Sequence, residues 1–484
     1  MNNLQNKNLK LTNSQQEAFN KMLQFINDKE AKIFILKGYA GTGKTTMLRK
    51  LIEELETRKD SFSLLASTGR AAKILANATG MNTHTVHGEI YKFTDLNQNL
   101  EKVASDRETH EVDATGQLFL NFGLSPKEYL PTSQVEKFYY YIVDEASMIS
   151  DIEDKTATQA LFGSGKLLND LMNYDKFGKF IFVGDFCQLP PVTQDFSPAL
   201  SASYLTSEYK VKVYEAELTQ IVRQEQNNDI TLSAQRMRKL YHSPQPWKWA
   251  KFPMLGYKNI HVLGSQTELI NRYISQVKQK SYNNATLLCF SNKQCDLTTQ
   301  ILRPSFGHYS QQIEKGDLLL VTQNNLLSGL MNGDLVTVNE VVIKERRAGL
   351  TFLKVSVKEL FTGKDYSQLM IADILYGTQT NLTQPQQKEL FIDFYYRMKD
   401  IGIKQGSKLF KEMMMADPYL NALRAVFGYA LTCHKAQGGE WDYVFLDIPK
   451  SVPVMQKPYV YQWVYTAMTR ARKELYIVDG FWLM

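Results

Sequence analysis

Gly38-Tyr39-Ala40-Gly41-Thr42-Gly43-Lys44-Thr45 matches the pattern Gly-x-x-x-x-Gly-Lys-[Ser/Thr]. It follows the apolar run Ile33–Leu36 and opens a helical pattern over Lys44–Leu55. Glycines let such a loop wrap until successive backbone N–H groups face one phosphate, and the positive end of the following helix adds to the attraction. Lys44 then reaches the outer phosphates and the Thr45 hydroxyl is placed to ligate magnesium. A phosphate cradle between a buried strand and a helix predicts an α/β core with a parallel sheet. Residues Gly38 to Thr45, with Thr46 beside them, are its expected nucleotide contacts.

The runs Leu64–Ala66, Tyr139–Val143 and Phe180–Val183 are, like Ile33–Leu36, short and apolar on both parities. Strands of that kind are covered on both faces. The helical patterns Lys44–Leu55 and Ala71–Ala78 lie between several of them, which again predicts parallel strands flanked by helices. A second block of the same grammar starts near Leu218, with helical Thr267–Val277 followed by the strand Thr286–Phe290. It resumes near Phe427 with strand Tyr443–Leu446, helix Tyr459–Ala471 and strand Leu475–Val478.

Each block is interrupted. Residues 89–135 are polar and mixed, with a hairpin expected over Glu111–Phe122 that turns at Thr115-Gly116. Residues 303–426 begin with β-like runs (Leu318–Val321, Leu335–Val342, Thr351–Val357) and end in helical patterns around Gln387–Met398 and Leu409–Met415. The expected division is a first α/β domain over 1–88 and 136–217 and a small wedge domain over 89–135. A second α/β domain would cover 218–302 and 427–484, and an inserted β-barrel domain with helical additions 303–426.

Length alone, 484 residues at about 150 per domain, predicts roughly three domains, one fewer than this division, whose wedge is small. The 56 Lys and Arg exceed the 50 Asp and Glu by a net charge of +6, which permits a polyanionic partner without demanding one. Cys187, Cys289, Cys295 and Cys433 form no Cys-x-x-Cys pair, so neither a zinc finger nor a disulfide framework is expected. The first ten residues carry no apolar export region, and no later run approaches the ~18 apolar residues of a membrane span. A cytoplasmic protein with no membrane partner is the expectation.

The run Tyr139-Tyr140-Tyr141-Ile142-Val143-Asp144-Glu145 ends a buried strand in two carboxylates, at the edge where parallel sheets bind ligands. Asp144 is placed to hold magnesium and Glu145 to activate an attacking water. The strand Phe180–Val183 likewise ends in Gly184-Asp185-Phe186-Cys187-Gln188-Leu189-Pro190-Pro191-Val192, where the Gln188 amide can both donate and accept and so report a terminal phosphate.

These three segments, in this order, resemble motifs I, II and III of the superfamily one helicases. Four further segments agree: Leu11–Gln15 resembles the Q motif, Glu217–Gln224 motif IV, Tyr429–Gly438 motif V and Val464–Arg472 motif VI. The His-Lys-x-Gln-Gly form of motif V and the β-rich insertion before it are similar to the RecD-like and Dda-like members, with Dda-like the nearer placement. The resemblance implies two RecA-like parallel-sheet domains, a pin inserted in the first and an SH3-like domain in the second. It implies ATP and Mg2+ as cofactors, with Gln15 reading the adenine and Gly438 near the nucleotide. Arg223 and Arg470 would reach the phosphates from the second core, so that hydrolysis is coupled to closure of the two cores. Arg472, beside Arg470, is read as a surface residue.

The implied activity is 5′-to-3′ translocation on single-stranded DNA with separation of duplex junctions, by a monomer that works with single-strand-binding or replication proteins. Motifs Ia and Ib are matched by Ala66–Arg70 and Thr83–His87. The expected DNA contacts are Thr68, Thr83, His84, His87, Ser291, Asn292, Thr432, His434 and Lys435, because translocation needs sequence-tolerant phosphate contacts and stacking. Phe119 and Phe122 are the wedge candidates. An RNA helicase or RNA–protein remodeller, a nucleotide-dependent DNA-binding protein without motor activity, and a module of a larger assembly are the other readings.

Overall fold

The computed structural model describes residues 11–96, 100, 122–127, 137–153, 160–192, 194–222, 228–377 and 379–484. Its first sheet has six parallel strands in the spatial order Thr83–Thr85, Ser61–Ala66, Tyr139–Asp144, Lys179–Gly184, Ala31–Gly38 and Lys212–Leu218. The central strands are buried on both faces because separate apolar clusters cover them. One is built on the helices Asn13–Asn27 and Lys44–Arg58, the other on Val86, Leu168, Leu171 and Leu200. Register sets the functional edge: Lys37 lies opposite Gly184, and Ala66 opposite both Asp144 and Thr85. The P-loop, the acid pair and the motif Ia and III loops thus all leave the carboxyl ends of neighbouring strands.

The second sheet has five parallel strands in the order Ile260–Leu263, Ala471–Val478, Trp441–Leu446, Ala285–Cys289 and Leu431–Thr432. The helix expected to reach Ala471 stops at Met468, and the strand expected from Leu475 already begins at Ala471. The reason is local: Trp441 N–H donates to the Arg470 carbonyl at 2.9 Å, drawing the chain into the sheet straight after the helix. The helix Asp229–His242, which the sequence reading did not single out, packs on the helix Tyr459–Met468.

Inserted in the chain of the second core is a five-stranded antiparallel sheet, ordered Asp365–Ile371, Leu350–Glu359, Leu335–Arg347, Leu318–Val321 and Ala425–Phe427. The helices Gln384–Asp400 and Lys408–Ala416 share an apolar cluster with it; the first is capped by a reciprocal Thr383–Gln386 box. Buried Leu100, from the first insertion, joins that cluster, and its N–H donates to Gln405 Oε1 at 2.8 Å.

A three-stranded sheet holds Tyr91–Leu96, Phe122–Pro126 and Ala160–Phe162. The third strand comes from beyond residue 135, so this small sheet draws on both sides of the strand that carries Asp144. The expected turn at Thr115-Gly116 and Phe119 lie outside the described residues; Phe122 opens a strand. All four cysteines are buried and free. Among the described residues no helix is long and apolar enough to cross a membrane.

Candidate nucleotide and strand-binding site

The P-loop turns on Gly41 and Gly43, whose φ values of 78° and 85° lie where only glycine sits without strain. Gly38 is required by space: a Cβ there would come within 2.8 Å of Thr42 Oγ1 and 2.9 Å of Lys44 Cγ. Lys44 Nζ donates to the carbonyls of Gly38 (2.7 Å) and Tyr39 (3.1 Å), so the ammonium lies across the mouth of the loop. Thr45 stands exposed in the first helical turn and Thr46 beside it is partly buried.

Gln15 is engaged at both ends of its amide. Oε1 accepts from Thr12 N–H in a capping box, and Nε2 donates to the Thr42 carbonyl at 3.2 Å. This residue, expected to read adenine, therefore also braces the P-loop from the N-terminal helix.

Asp144 ends its strand partly buried, and its Oδ1 accepts from Glu145 N–H at 2.9 Å. Desolvation, and then the charge of Glu145, push its carboxyl up to about 7 against the opposing pull of Lys44. Glu145 itself has φ 51°, a left-handed conformation that turns the chain sharply after the strand. Among the described residues no group of three or more His, Cys, Asp or Glu gathers around one point. A cation here would depend on Asp144, the Thr45 hydroxyl and the oxygens of a bound phosphate, and this sparse donor set fits magnesium.

Arg470, expected at the phosphates once the two cores close, is bonded to protein in this structure. Its guanidinium is buried within the second core, donating from Nε to Thr466 O (3.0 Å), from Nη1 to Gly439 O (3.2 Å) and from Nη2 to Thr469 Oγ1 (3.4 Å). It is thus held by its own helix end and by the Gly439 carbonyl that follows motif V. Arg223 lies outside the described residues. Arg238, which the sequence reading missed, is the second-core cation brought to the loop: its guanidinium sits 3.6 Å from the centre of the Tyr39 ring. Arg238, Thr231 and Thr469 line a cleft with Ala40 of the P-loop and Tyr465. Gly438 packs on the motif Ia helix, where an added Cβ would meet Ala71 at 3.2 Å. Arg472 pairs with Asp442 at 2.8 Å near the surface.

The motif III loop is bound to the second core through its backbone. Leu189 N–H donates to Thr466 Oγ1 (2.9 Å), Gln437 Nε2 donates to Leu189 O (3.2 Å), and Gln462 Nε2 donates to Gln188 O (3.2 Å). Gln188 is itself buried, and its Oε1 has no partner among the described residues. A buried, unpartnered amide oxygen at the phosphate edge fits a group that accepts from a bound water, while its Nε2 is the donor that a phosphate oxygen would need. Tyr39, Cys187 and Leu189 belong to the second core's apolar cluster, so the two cores share packing at this point.

The strand-binding candidates fall on the same edges. Thr68 caps the helix Gly69–Thr79 by accepting from Ala71 N–H at 3.2 Å, and Ser291 caps Asn292–Ser305 by accepting from Gln294 N–H at 3.2 Å. Both hydroxyls thus serve their own helices. Thr83 donates to the Met81 carbonyl, exposed His84 lies 3.1 Å from Asn82 Nδ2, and His87 packs on Tyr91. Asn292 is exposed, whereas Thr432 is buried opposite Cys289. Burial lowers the basicity of both His434 and Lys435.

Two family models match this chain: an AAA domain over residues 10–240 and a UvrD-like helicase C-terminal domain over 427–478. It is 24% identical over 446 residues to the ATP-dependent RecD2 DNA helicase of Deinococcus radiodurans, which covers 92% of this chain and 46% of that relative. To the ATP-dependent DNA helicase dda of Enterobacteria phage T4 it is 24% identical over 491 residues, covering 97% of this chain and 99% of that one. The backbone is also similar to that of the Pif1 helicase from Bacteroides in complex with ADP-AlF3 and ssDNA (17% identity, 98% and 93% coverage, TM-score 0.47), too loosely to add to the case. With two parallel-sheet cores meeting at a P-loop, the motifs in order along nearly the whole chain and relatives matched across both cores, this chain is similar to the superfamily one helicases over nearly its whole length.

Proposed function

We propose that the chain is an ATP-driven motor that moves 5′-to-3′ along single-stranded DNA and separates the duplex ahead of it. The observation that carries this reading is the direct junction of the nucleotide loop with the second core. Tyr39 lies under Arg238, and the motif III backbone is bonded to Gln437, Gln462 and Thr466. A change at the loop is thereby felt by the neighbouring core, as a motor requires.

In this reading Lys44 leaves its two carbonyl partners for the outer phosphates, and Asp144 with Thr45 holds Mg2+, which neutralises phosphate charge when bound. Glu145 orients the attacking water and Gln188 reports the terminal phosphate. Arg470 reaches the cleft only if the end of its helix rearranges, because three hydrogen bonds now hold it; Arg238 is already against the loop. The exposed His84, within the strand Thr83–Thr85, and Asn292, at a helix start, are the readier first contacts for a DNA backbone than the hydroxyls that cap helices.

Strand displacement from partial duplexes tests the proposal. Release with ATP from a 5′-tailed substrate and not from a 3′-tailed one is expected; the reverse pattern overturns the polarity. Greater stimulation of ATPase by poly-U than by poly-dT would favour the RNA alternative.

A further inference from the structure

Tyr465 is buried on the helix Tyr459–Met468, and its side chain leaves the second core to meet two separate loops of the first. Its hydroxyl donates to Asp185 Oδ2 of the motif III loop at 2.6 Å and accepts from the P-loop N–H of Ala40 at 3.4 Å. Asp185, fully buried, also accepts from Cys187 N–H at 3.0 Å through its other oxygen, so its carboxylate is fixed in place. The same helix turn leads on to the motif VI arginine. The Tyr465 carbonyl accepts from Thr469 Oγ1 at 2.8 Å, and that hydroxyl accepts from Arg470 Nη2 at 3.4 Å. One turn thus touches the P-loop, motif III and the residue that must move to reach the phosphates.

We infer that Tyr465 is a positioning residue: through its hydroxyl it makes the end of the motif VI helix, and Arg470 with it, follow the P-loop and motif III. The inference rests on the ATPase motor proposed above. A phenol suits the part because a single oxygen donates to one loop while accepting from another, and its rigid ring transmits the displacement to the helix. Phenylalanine would keep the ring's packing and break both links, leaving Asp185 and the Ala40 N–H short of a buried partner.

The test is steady-state ATPase of Tyr465→Phe with and without poly-dT, beside the wild type and Tyr273→Phe. Tyr273 is equally buried in the second core and donates to the Tyr429 carbonyl at 3.0 Å, away from the P-loop, so it reports the loss of a purely structural hydroxyl. Tyr465→Phe should retain a KM for ATP within about threefold of wild type while its poly-dT-stimulated kcat falls at least ~tenfold. Tyr273→Phe should lower only thermal stability, and Asp185→Asn, which keeps an acceptor for the phenol, should retain most of the stimulation. If Tyr465→Phe does not fold, Asp185→Ala, which removes the acceptor and leaves the ring, should show the same loss. Full stimulation in the folded Tyr465→Phe, or in Asp185→Ala where that variant replaces it, or equal losses in Tyr465→Phe and Tyr273→Phe, overturns the inference and leaves the motor reading standing. A wild-type protein whose ATPase ignores poly-dT overturns both.

Discussion

The two α/β cores share an architecture and differ in how their polar groups are used. In the first, the functional groups stand on loops at strand ends, where left-handed glycines and a half-buried acid pair leave donors and acceptors facing the cleft. In the second, the functional groups stand on a buried helix and the turn after it, and Thr466, Thr469 and Arg470 are hydrogen-bonded to protein. In the proposed motor, one core receives the ligand and the other registers that the first has changed. A set of substitutions should separate those roles.

The largest effect is expected for Lys44→Ala, which removes the one ammonium in the loop. Turnover should fall ~10³-fold or more while the fold is unchanged, as single-turnover hydrolysis would show. Arg470→Ala probes the contrast directly. If the guanidinium moves to the phosphates during turnover, kcat falls by a factor of order ~10³ with nucleotide binding retained. If it stays on Gly439 and Thr466 throughout, the loss is below tenfold and thermal stability falls instead, because two buried carbonyls lose their donor.

Asp144 gives a pH test of the receiving core. Its pKa is raised from 3.8 to about 7 in the fold, so the folded state prefers the protonated form. The stability cost of its charge is therefore absent below about pH 4, grows as pH rises, and is complete above about pH 7. Asp144→Asn should raise the melting temperature of the nucleotide-free protein at pH 8 and leave it nearly unchanged at pH 4, while hydrolysis is lost at both. The smallest effect is expected at Arg472→Ala, whose partner Asp442 also binds Lys473 at 3.0 Å. With its side chain 43% exposed, the loss should stay within about 1 kcal/mol, with no change in turnover by the same assay.

What could be read in the amino-acid order follows the same divide. Strands such as Ile33–Leu36 and Phe180–Val183 are apolar on both parities because helices cover both faces of the sheet, so their burial is written locally. The P-loop and the acid pair are also local, since a short span of chain holds most of the chemistry. Tyr465 and Arg238 were not legible as functional residues, because their partners lie hundreds of positions away and a tyrosine or arginine on a helix has many ordinary uses. Gln15 was read for a ligand, but its cap and the Thr42 carbonyl are tertiary facts. Ala160–Phe162 is too short to carry a period, and only pairing with Phe122–Leu124 defines it.

The antiparallel sheet inserted in the second core has its first and last strands side by side, Leu319 opposite Phe427. The chain therefore departs and comes back through a single doorway, framed by Leu318 N–H and Asp317, both bonded to the hydroxyl of Tyr429. A module attached in this way can be enlarged, trimmed or exchanged without re-threading the engine beneath it. Relatives could thus acquire different outer attachments while keeping the same nucleotide machinery.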